Sequence, residues 1–381
     1  MPSDESFIPL QKPWLGAEEE RAAVESLRSG RIGGGGPAGA ALARLVEETL
    51  GVKRALAMTS CTHALEAAML ALEVGPGDEV VCPSFAFVSA ANAIVLRGAK
   101  VIFADIEEET LGLDPADVET RITERTRGIV LVHYGGFPCR IDEIIDLARR
   151  RGLFVVEDAA QVFGATWDGK PLGTFGDIGC FSLHETKNLT CGEGGIFVTN
   201  DEALFLRAEV IREKGTDRSR FLRGEAQKYL WQSPGSSFVL ADPLCAIAIE
   251  QIRKSPEIKR RRGEIYGRYL RELAPLEKAG KLRLPRVLPR ASPNWHVFYV
   301  LLDDPGMRSE LIAHLAARRI SAAFHFVPLH TSPFGKKLCG APPELPLTDR
   351  IASALLRLPI YPGLLPKEQD RVIGAVFDFL G

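Results

Sequence analysis

Short apolar runs alternate with helical patterns along roughly the first 200 residues of this chain. The runs, each typical of a buried strand, are RALAMTS, DEVVCPS, AKVIFADI, TRGIVLVHY, GLFVVEDAA, IGCFSLH and GGIFVTN. Helical patterns separate most of them, for example at residues 62–72 and 141–151. Strands that are apolar throughout and alternate with helices indicate a mostly parallel sheet covered on both faces. In such α/β sheets the chemistry gathers at the carboxyl ends of the strands.

Two helical patterns precede the first strand, and a glycine-rich segment joins them. The helices are predicted at residues 17–29 and 41–50, ending at Gly30 and Gly51. The segment between them contains Gly34-x-Gly36-x-x-Gly39, the spacing of a dinucleotide-binding turn. That turn must follow a strand, and here a helix comes first. We therefore expect a loop over a site and no nucleotide cofactor.

The pattern changes after about residue 245. A long helical stretch rich in Arg and Lys begins there and is expected to break near Pro256. A Pro-rich segment follows, then a predicted strand at 296–302, a helix at 308–319 and a strand at 320–327. We predict a large α/β domain over residues 1–250 and a smaller C-terminal α+β domain over residues 251–381.

Composition and charge exclude several classes of protein. The 381 residues suffice for two domains, and the formal net charge of -2 without a basic stripe argues against a nucleic-acid partner. Neither a secretory signal nor an apolar run of membrane-spanning length is present, so no membrane partner is expected. The seven cysteines show no C-x-x-C spacing, so we expect no metal site and a cytoplasmic protein with reduced thiols.

Three strand ends carry candidate chemistry. The segment TSCTHALEAAML places Ser60 and Thr62 where a helix begins, and a helix N-terminus attracts an anion such as phosphate. Ordinary helix capping is the alternative there. Asp158 ends an apolar strand, where a carboxylate is costly unless it is paired. Lys187 follows another such strand, and a desolvated lysine has a lowered pKa and can form a Schiff base.

Together these features predict a pyridoxal 5′-phosphate site. The helix N-terminus would hold the phosphate, and Asp158 would keep the pyridine nitrogen protonated, which makes the ring an electron sink. Lys187 would form the Schiff base. The joint pattern is more specific than any one of its parts.

The chain resembles the sugar-nucleotide aminotransferases of the DegT/StrS family, which have the aspartate aminotransferase fold (fold type I). The resemblance covers nearly the whole chain and rests on SCTHALEAAML, GDEVVCPSFAFVSAANAI, VVEDAAQ, GCFSLHETKNLTCGEGGIFVTND and FHFVPLH. It implies a large, mostly parallel α/β/α domain with a smaller C-terminal α+β domain. It also implies pyridoxal 5′-phosphate, with pyridoxamine 5′-phosphate as intermediate, and a homodimer with shared active sites.

The resemblance assigns roles to the motif residues. Lys187 and Asp158 are the catalytic pair, Gln161 lies near the ring hydroxyl, and Phe87 stacks on the ring. The other implied cofactor-binding residues are Ser60, Cys61, Thr62, His63, Ser182 and Ser237. Many members carry G-x-N-x-R, whose Asn reaches the phosphate of the neighbouring subunit's cofactor. Here Ser237 replaces that Asn, which puts the cross-subunit contact in doubt.

One branch of the family is similar at HETKN, at HYGG and at IREKGTDRSRFLRGEAQKYLWQSPGSSF. Its members move an amino group from L-glutamate to C4 of dTDP-4-keto-6-deoxy-D-glucose. The products are dTDP-4-amino-4,6-dideoxy-D-galactose and 2-oxoglutarate, and the branch is associated with surface polysaccharide. The alternatives are an aminotransferase for another nucleotide-linked keto sugar, including the gluco epimer, and a non-catalytic regulator on the same fold. A related dehydratase would carry His in place of Lys187.

The substrate residues are predicted from their position in the motifs. The basic segment at residues 212–224 is expected to bind the nucleotide diphosphate, because Arg pairs well with phosphate oxygens. A solvated run of charge is the alternative, and His184, His325 and His330 have structural roles as alternatives. The expected substrate-binding residues are His184, Glu185, Arg212, Lys214, Arg218, His325 and His330.

Overall fold

A computed structural model describes residues 6–381 of the chain. Its strands are β1 Arg54–Met58, β2 Glu79–Pro83, β3 Lys100–Ala104, β4 Thr126–Val132, β5 Phe154–Asp158, β6 Thr166–Trp167, β7 Lys170–Pro171, β8 Ile178–Ser182, β9 Gly195–Thr199, β10 Leu282–Arg283, β11 Ala291–Ser292, β12 Phe298–Leu302 and β13 Leu355–Leu358. Its helices are α1 Ala17–Arg28, α2 Pro37–Leu50, α3 Cys61–Ala71, α4 Val88–Val95, α5 Pro115–Arg121, α6 Ile141–Arg151, α7 Glu202–Arg212, α8 Arg218–Leu222, α9 Asp242–Lys278, α10 Met307–Ala317, α11 Pro333–Cys339, α12 Pro346–Ala354 and α13 Pro366–Leu380.

A seven-stranded sheet organises the larger part of the molecule, in the order β1-β9-β8-β5-β4-β2-β3. The pairs β2–β3, β2–β4, β4–β5 and β5–β8 are parallel. Only β9 runs the other way, antiparallel to both of its neighbours, β1 and β8. Each of the seven apolar runs contains one of these strands. The prediction of a mostly parallel sheet is therefore confirmed.

Both faces of this sheet are buried, which explains why its strands are apolar throughout. Successive residues point to opposite faces, so Val155 joins one hydrophobic core and Val156 joins the other. In the same way Ala57 and Met58 of β1 belong to different cores. The sheet thus lies between two helical layers, with its carboxyl ends open at one edge.

The helix α9 is continuous, and the predicted break near Pro256 is wrong. The helix spans 37 residues, with Pro256 and Pro275 inside it. An interior proline removes one helix hydrogen bond and costs about 3 kcal/mol. Ile252 and Ile258, on either side of Pro256, are buried in the core, and this packing offsets the loss.

The boundary predicted between residues 250 and 251 falls within α9. Gln251 donates to the Trp14 carbonyl before α1, at 3.0 Å. Further along, the Gln369 side chain of α13 donates to the carbonyl of Ile265, at 2.7 Å. The helix therefore packs against the N-terminal helices over its first part and against the C-terminal helix over its second part.

The strand predicted at residues 320–327 is also wrong. The small sheet has the order β10-β12-β13, and its third strand, Leu355–Leu358, was not predicted. Within 320–327 the chain makes only isolated bridges, at Ile320 and Ala323. His325 and Phe326 instead line a cavity and pack against Tyr134, so this segment serves as part of a wall.

The glycine-rich segment before α2 packs against the side chain of Asp242. The carboxylate accepts from the backbone N–H groups of Ala38 and Gly39, both at 3.1 Å. A Cβ on Gly36 would lie 2.2 Å from Asp242 Oδ2, so this position needs glycine. The N-terminus of α2 is thus occupied by a carboxylate of the chain itself. The segment does not line the cavity described below. Gly35, Gly36 and Gly39 instead border a second cavity beside α2, so the expectation of a loop over a site stays a prediction.

No helix within residues 6–381 is long and apolar enough to cross a membrane.

Candidate active site

The N-terminus of α3 lies directly against β9, at the carboxyl edge of the sheet. A Cβ on Gly195 would lie 2.2 Å from the Ser60 carbonyl carbon, so glycine permits this close approach. Ser60 is the N-cap, and its Oγ accepts from the His63 N–H at 3.0 Å. Ser60 is therefore a helix cap, while the hydroxyl of Thr62 bonds to that of Ser89 at 2.8 Å. All three hydroxyls line one cavity.

Asp158 is the last residue of β5 and is only 6% exposed. Its Oδ1 accepts from the backbone N–H of Ala160 at 3.1 Å. The thiol of Cys61 lies 4.0 Å from the same oxygen and donates to the Cys180 carbonyl at 3.4 Å. Burial raises the pKa of Asp158, and the bond from Ala160 and the charge of Lys187 oppose that rise. A cationic partner would stabilise this carboxylate.

Lys187 lies in the loop between β8 and β9, and its side chain is partly buried in the same cavity. Burial lowers its pKa, and the negative charge of Asp158 opposes that shift. A lysine with a lowered pKa supplies a larger fraction of neutral amine near neutral pH. Asp158 and Lys187 thus favour each other's charged forms, while their shared environment disfavours both.

One cavity of about 370 Å³ brings these groups together. It also contains Gln161, whose Oε1 accepts from the Gly135 N–H at 2.6 Å, which leaves its Nε2 free to donate. Phe87, at the N-cap of α4, is 59% exposed and borders the opening. The predicted residues that line this cavity are Ser60, Cys61, Thr62, Phe87, Asp158, Gln161, Ser182, His184, Lys187 and His325.

His184 and His325 line the cavity in different settings. The Nδ1 of His184 bonds to Thr186 Oγ1 at 2.8 Å, and its Nε2 lies 3.4 Å from Glu193 Oε1. The Nδ1 of His325 lies 3.1 Å from the hydroxyl of Tyr134. Burial lowers the pKa of His325 to about 2, so this ring stays neutral. Glu185 is exposed and does not line the cavity.

Six other predicted site residues lie outside the cavity of this chain. The ring of His63 stacks on Phe238 at 4.6 Å, and His330 bonds to Ser84 at 2.7 Å. Arg212 donates to the Ala57 carbonyl at 3.3 Å and lines a separate cavity between α2 and α7. The remaining three, all at the surface, are Lys214, Arg218 and Ser237.

Arg357 and His296 are among the cavity residues that were not predicted from the sequence. Arg357 lies in β13, and burial lowers its pKa. Its Nε is buried and has no hydrogen-bond partner within the described residues. The four-residue strand LLRL carries no motif, so only the pairing of β13 with β12 shows that Arg357 reaches the site. His296 comes just before β12 and looks in sequence like the start of an ordinary buried strand.

The residues present fit pyridoxal 5′-phosphate. Hydroxyls and the free N–H groups of a helix N-terminus suit its phosphate. A buried carboxylate with a raised pKa suits a protonated ring nitrogen, and a partly buried lysine suits its aldehyde. All three lie in one cavity, which has room for a cofactor and a small substrate together. These features define a fold type I, pyridoxal-phosphate-dependent aminotransferase.

Comparison with known proteins agrees with this class. The DegT/DnrJ/EryC1/StrS aminotransferase family model matches residues 13–377, and the chain belongs to that family. It is 35% identical to the spore coat polysaccharide biosynthesis protein SpsC of Bacillus subtilis, over 98% of this chain and 97% of SpsC.

Solved structures are similar over the same length. The aminotransferase TlmJ of Streptoalloteichus hindustanus superposes with a TM-score of 0.91 at 33% identity, covering 98% of this chain and 99% of TlmJ. DesV of S. venezuelae gives 0.89 at 33% identity, covering 99% of both chains. This enzyme is therefore a sugar aminotransferase that uses pyridoxal 5′-phosphate, as its family does.

Proposed function

We propose that this enzyme transfers an amino group from L-glutamate to C4 of dTDP-4-keto-6-deoxy-D-glucose. The products would be 2-oxoglutarate and dTDP-4-amino-4,6-dideoxy-D-galactose. The observation that carries the reaction type is the joint presence of Lys187, Asp158 and the α3 N-terminus in one cavity. The sugar rests on the similarity of HETKN, HYGG and the segment at residues 211–238 to one branch of the family. The printed name of SpsC supports a use in polysaccharide synthesis.

Lys187 would carry the proton transfers. Its lowered pKa leaves neutral amine available to take the proton from the α-carbon of glutamate. The same amine would then protonate the carbon that was the cofactor's aldehyde, and it would repeat these steps in reverse on the sugar. Bound pyridoxal 5′-phosphate supplies an electron sink for the developing carbanion. Asp158 would hold the ring nitrogen protonated, and Phe87 would cover the ring.

Arg357 would bind a carboxylate of the amino donor. Its Nε has no hydrogen-bond partner within the part of the chain described, and it lines the cavity. A partly buried guanidinium without a counter-charge is unfavourable, and a carboxylate pairs with it through charge-assisted hydrogen bonds. His325 faces the same cavity but stays neutral. An amino donor with a carboxylate, such as L-glutamate, therefore suits this part of the cavity.

The nucleotide end of the substrate would need residues from a neighbouring subunit. The charged groups in the cavity, Lys187 and Arg357 among them, are assigned to the cofactor and the donor. Lys214 and Arg218 are 59% and 43% exposed and lie 3.8 and 3.9 Å from Glu213. Because they are free to turn toward a partner, we propose a homodimer in which they bind the diphosphate of the other subunit's substrate. Ser237 would lie near that subunit's cofactor phosphate.

One experiment tests the reaction and the sugar together. Purified protein, pyridoxal 5′-phosphate, L-glutamate and dTDP-4-keto-6-deoxy-D-glucose are combined, and the product is examined by NMR. A small coupling between H3 and H4 indicates an axial amine and the galacto product. A large coupling indicates the gluco epimer, which would contradict the proposed stereochemistry. An unchanged sugar, with glutamate still converting the cofactor to pyridoxamine 5′-phosphate, would point to another keto sugar.

A further inference from the structure

His296 lies in the active-site cavity without a role in the steps proposed above. It is 6% exposed and lines the cavity together with Lys187 and Arg357. Its Nδ1 lies 2.9 Å from Oδ1 of Asn188, the residue after Lys187. Its Nε2 makes no hydrogen bond with any residue from 6 to 381. Nε2 is therefore available to a ligand in the cavity.

Asn188 determines the protonation of the His296 ring. The Asn188 Nδ2 donates to the backbone carbonyl of Asn294 at 2.8 Å. The reversed amide would place two acceptors against each other there, so Oδ1 must be the atom that faces His296. An amide oxygen only accepts, so Nδ1 of His296 carries the hydrogen and donates it. In the neutral ring, Nε2 is then an unprotonated acceptor.

The ring is also held in place and kept neutral. Arg262 is 3% exposed and donates to the carbonyls of Trp295 and His296, at 2.9 and 2.5 Å. Burial first, and then the positive charges of Lys187 and Arg262, lower the pKa of His296 well below its ordinary value, with His325 and Arg357 as further contributors. The ring of this cavity residue therefore keeps an unprotonated Nε2 at every pH near neutrality.

We propose that His296 is a specificity-determining residue that accepts a hydrogen bond, through Nε2, from a ring hydroxyl of the sugar substrate. The proposal deepens the function proposed above and rests on it for the substrate class. A hydroxyl is the donor that a keto sugar brings to the site. A carboxylate, by contrast, would meet the lone pair of Nε2 with its own lone pairs, so His296 disfavours the donor's acidic groups at this point. Arg357 and His296 thus suit the two substrates that use the cavity in turn.

Two variants distinguish the roles of the two ring nitrogens of His296. His296→Asn places an amide N–H near the position of Nδ1 and removes the acceptor at Nε2. His296→Gln reaches the position of Nε2 with its carbonyl oxygen and so restores an acceptor. Binding to the holoenzyme is measured by calorimetry with dTDP-6-deoxy-D-glucose, which has no ketone and cannot react. The 2-deoxy and 3-deoxy analogues of that sugar test the two ring hydroxyls.

For the parent protein, loss of one of these hydroxyls should weaken binding about tenfold, as expected for one hydrogen bond. His296→Asn should weaken binding of the full sugar by a similar factor and should show no further loss with that same deoxy analogue. His296→Gln should recover most of the affinity. The glutamate half-reaction of His296→Asn, followed by the cofactor absorbance, should stay within about twofold of the parent, because the contact is with the sugar.

Two outcomes would overturn the proposal. His296→Asn and each deoxy analogue lower the binding affinity separately. If these two losses of binding free energy add for both analogues, His296 contacts neither hydroxyl. If the glutamate half-reaction falls as much as sugar binding, His296 acts by holding Asn188 and Lys187. If His296→Asn fails to fold, the same calorimetry on His296→Gln tests the proposal. This variant should then lose as much affinity as the parent does when the contacted hydroxyl is removed from the sugar. Failure of the parent protein to aminate any keto sugar would refute the proposed function. The calorimetry needs no turnover, so it would still show whether His296 contacts a sugar hydroxyl.

Discussion

The hydroxyl of Ser84 lies 2.7 Å from Nδ1 of His330, 246 residues further along the chain. The same hydroxyl accepts from the His330 backbone N–H at 3.0 Å, and both residues are at most 2% exposed. Nε2 of His330 lies 3.6 Å from Asp349 Oδ1, so the three side chains follow the order Ser–His–Asp. Neither Ser84 nor His330 lines the active-site cavity, so this is a structural link and not a nucleophilic centre. It joins the loop that carries Phe87 to the segment that carries His325.

Replacing Ser84 should show how much this link contributes to stability. Ser84→Ala would leave the Nδ1 and backbone N–H of His330 buried without a partner, at a cost of about 2 kcal/mol. Urea unfolding measures the change. Ser309→Ala, at an exposed position of α10, is the matched control and should change stability by less than about 0.5 kcal/mol. A loss of the same size in both variants would contradict the role assigned to the Ser84–His330 bond.

The pH dependence of stability should reflect the partly buried ring of His325. Burial lowers its pKa from 6.5 to about 2, so below pH 6.5 the unfolded chain takes up a proton that the folded protein does not. Folding stability is therefore lost as the pH falls, by about 2 kcal/mol between pH 6.5 and pH 5 for this one group. His325→Gln should make the decline shallower by that amount in unfolding experiments on cofactor-free protein. An unchanged slope would mean that His325 protonates freely in the fold.

Replacing Lys187 should raise stability while it abolishes function. Lys187→Met removes an amine whose charged form is disfavoured by burial, so we expect the cofactor-free protein to gain about 1 kcal/mol. Turnover should fall at least about a thousandfold, and the visible absorbance of the bound cofactor should be lost. Lys367→Met, at an exposed position of α13, is the control for both measurements. A Lys187→Met variant that keeps the parent's visible spectrum would refute the assignment of this lysine.

Arg357 should matter for one substrate only. Arg357→Gln should raise the glutamate concentration needed for half-maximal conversion of the cofactor by about 10- to 100-fold, because a charge-assisted hydrogen bond is lost. Conversion by the keto sugar should change little. Arg357→Lys keeps the charge but loses the planar fork, so an intermediate value is expected. Equal losses in both half-reactions would indicate that Arg357 supports the cavity and does not bind the donor.

The proposed dimer predicts a surface where polar substitution separates the subunits. Residues 216–231 contain the short helix α8 and are closed by a bridge between Thr216 and Trp231. This segment exposes several large apolar side chains. Trp231 is 80% exposed and Leu230 is 60% exposed. Trp231→Ser should therefore shift the protein toward monomer in sedimentation velocity at micromolar concentration. Leu96→Ser, at the C-cap of α4, where the side chain is 66% exposed, should leave the sedimentation unchanged. A monomeric parent protein would refute the dimer directly.

The large sheet, and the meeting of Asp158 and Lys187 in one cavity, could be predicted because their determinants are local. Each buried strand is apolar over its own length; Asp158 ends one such strand, and Lys187 lies in the loop that follows another. The wall of the cavity could not be predicted in this way. Residues 320–327 have the β-branched and aromatic composition of a strand but pair with nothing continuous, because tertiary packing directs His325 and Phe326 inward.

The rotation of successive residues around a helix explains another difference between the sequence-based prediction and the structure. His63 stands beside Thr62 in sequence, yet its ring stacks on Phe238 and lies outside the cavity. The first turn of α3 directs adjacent side chains to different sides of the helix. Thr62 therefore faces the cavity, while His63, the next residue of the same motif, faces Phe238. The partners of Arg357 and His296 come from remote segments, which no spacing along the chain reveals.

The continuous helix α9 has a mechanical consequence. At 1.5 Å per residue its 37 residues span about 55 Å, and the part beyond Pro256 spans about 33 Å. A missing hydrogen bond at Pro256 makes that position the softest point for bending. A bend of only about 5° there would displace the far end by about 3 Å, close to the width of a water molecule. Arg262, which donates to the backbone carbonyl of His296, lies beyond Pro256. A bend at Pro256 would therefore move Arg262 and, with it, the backbone of His296.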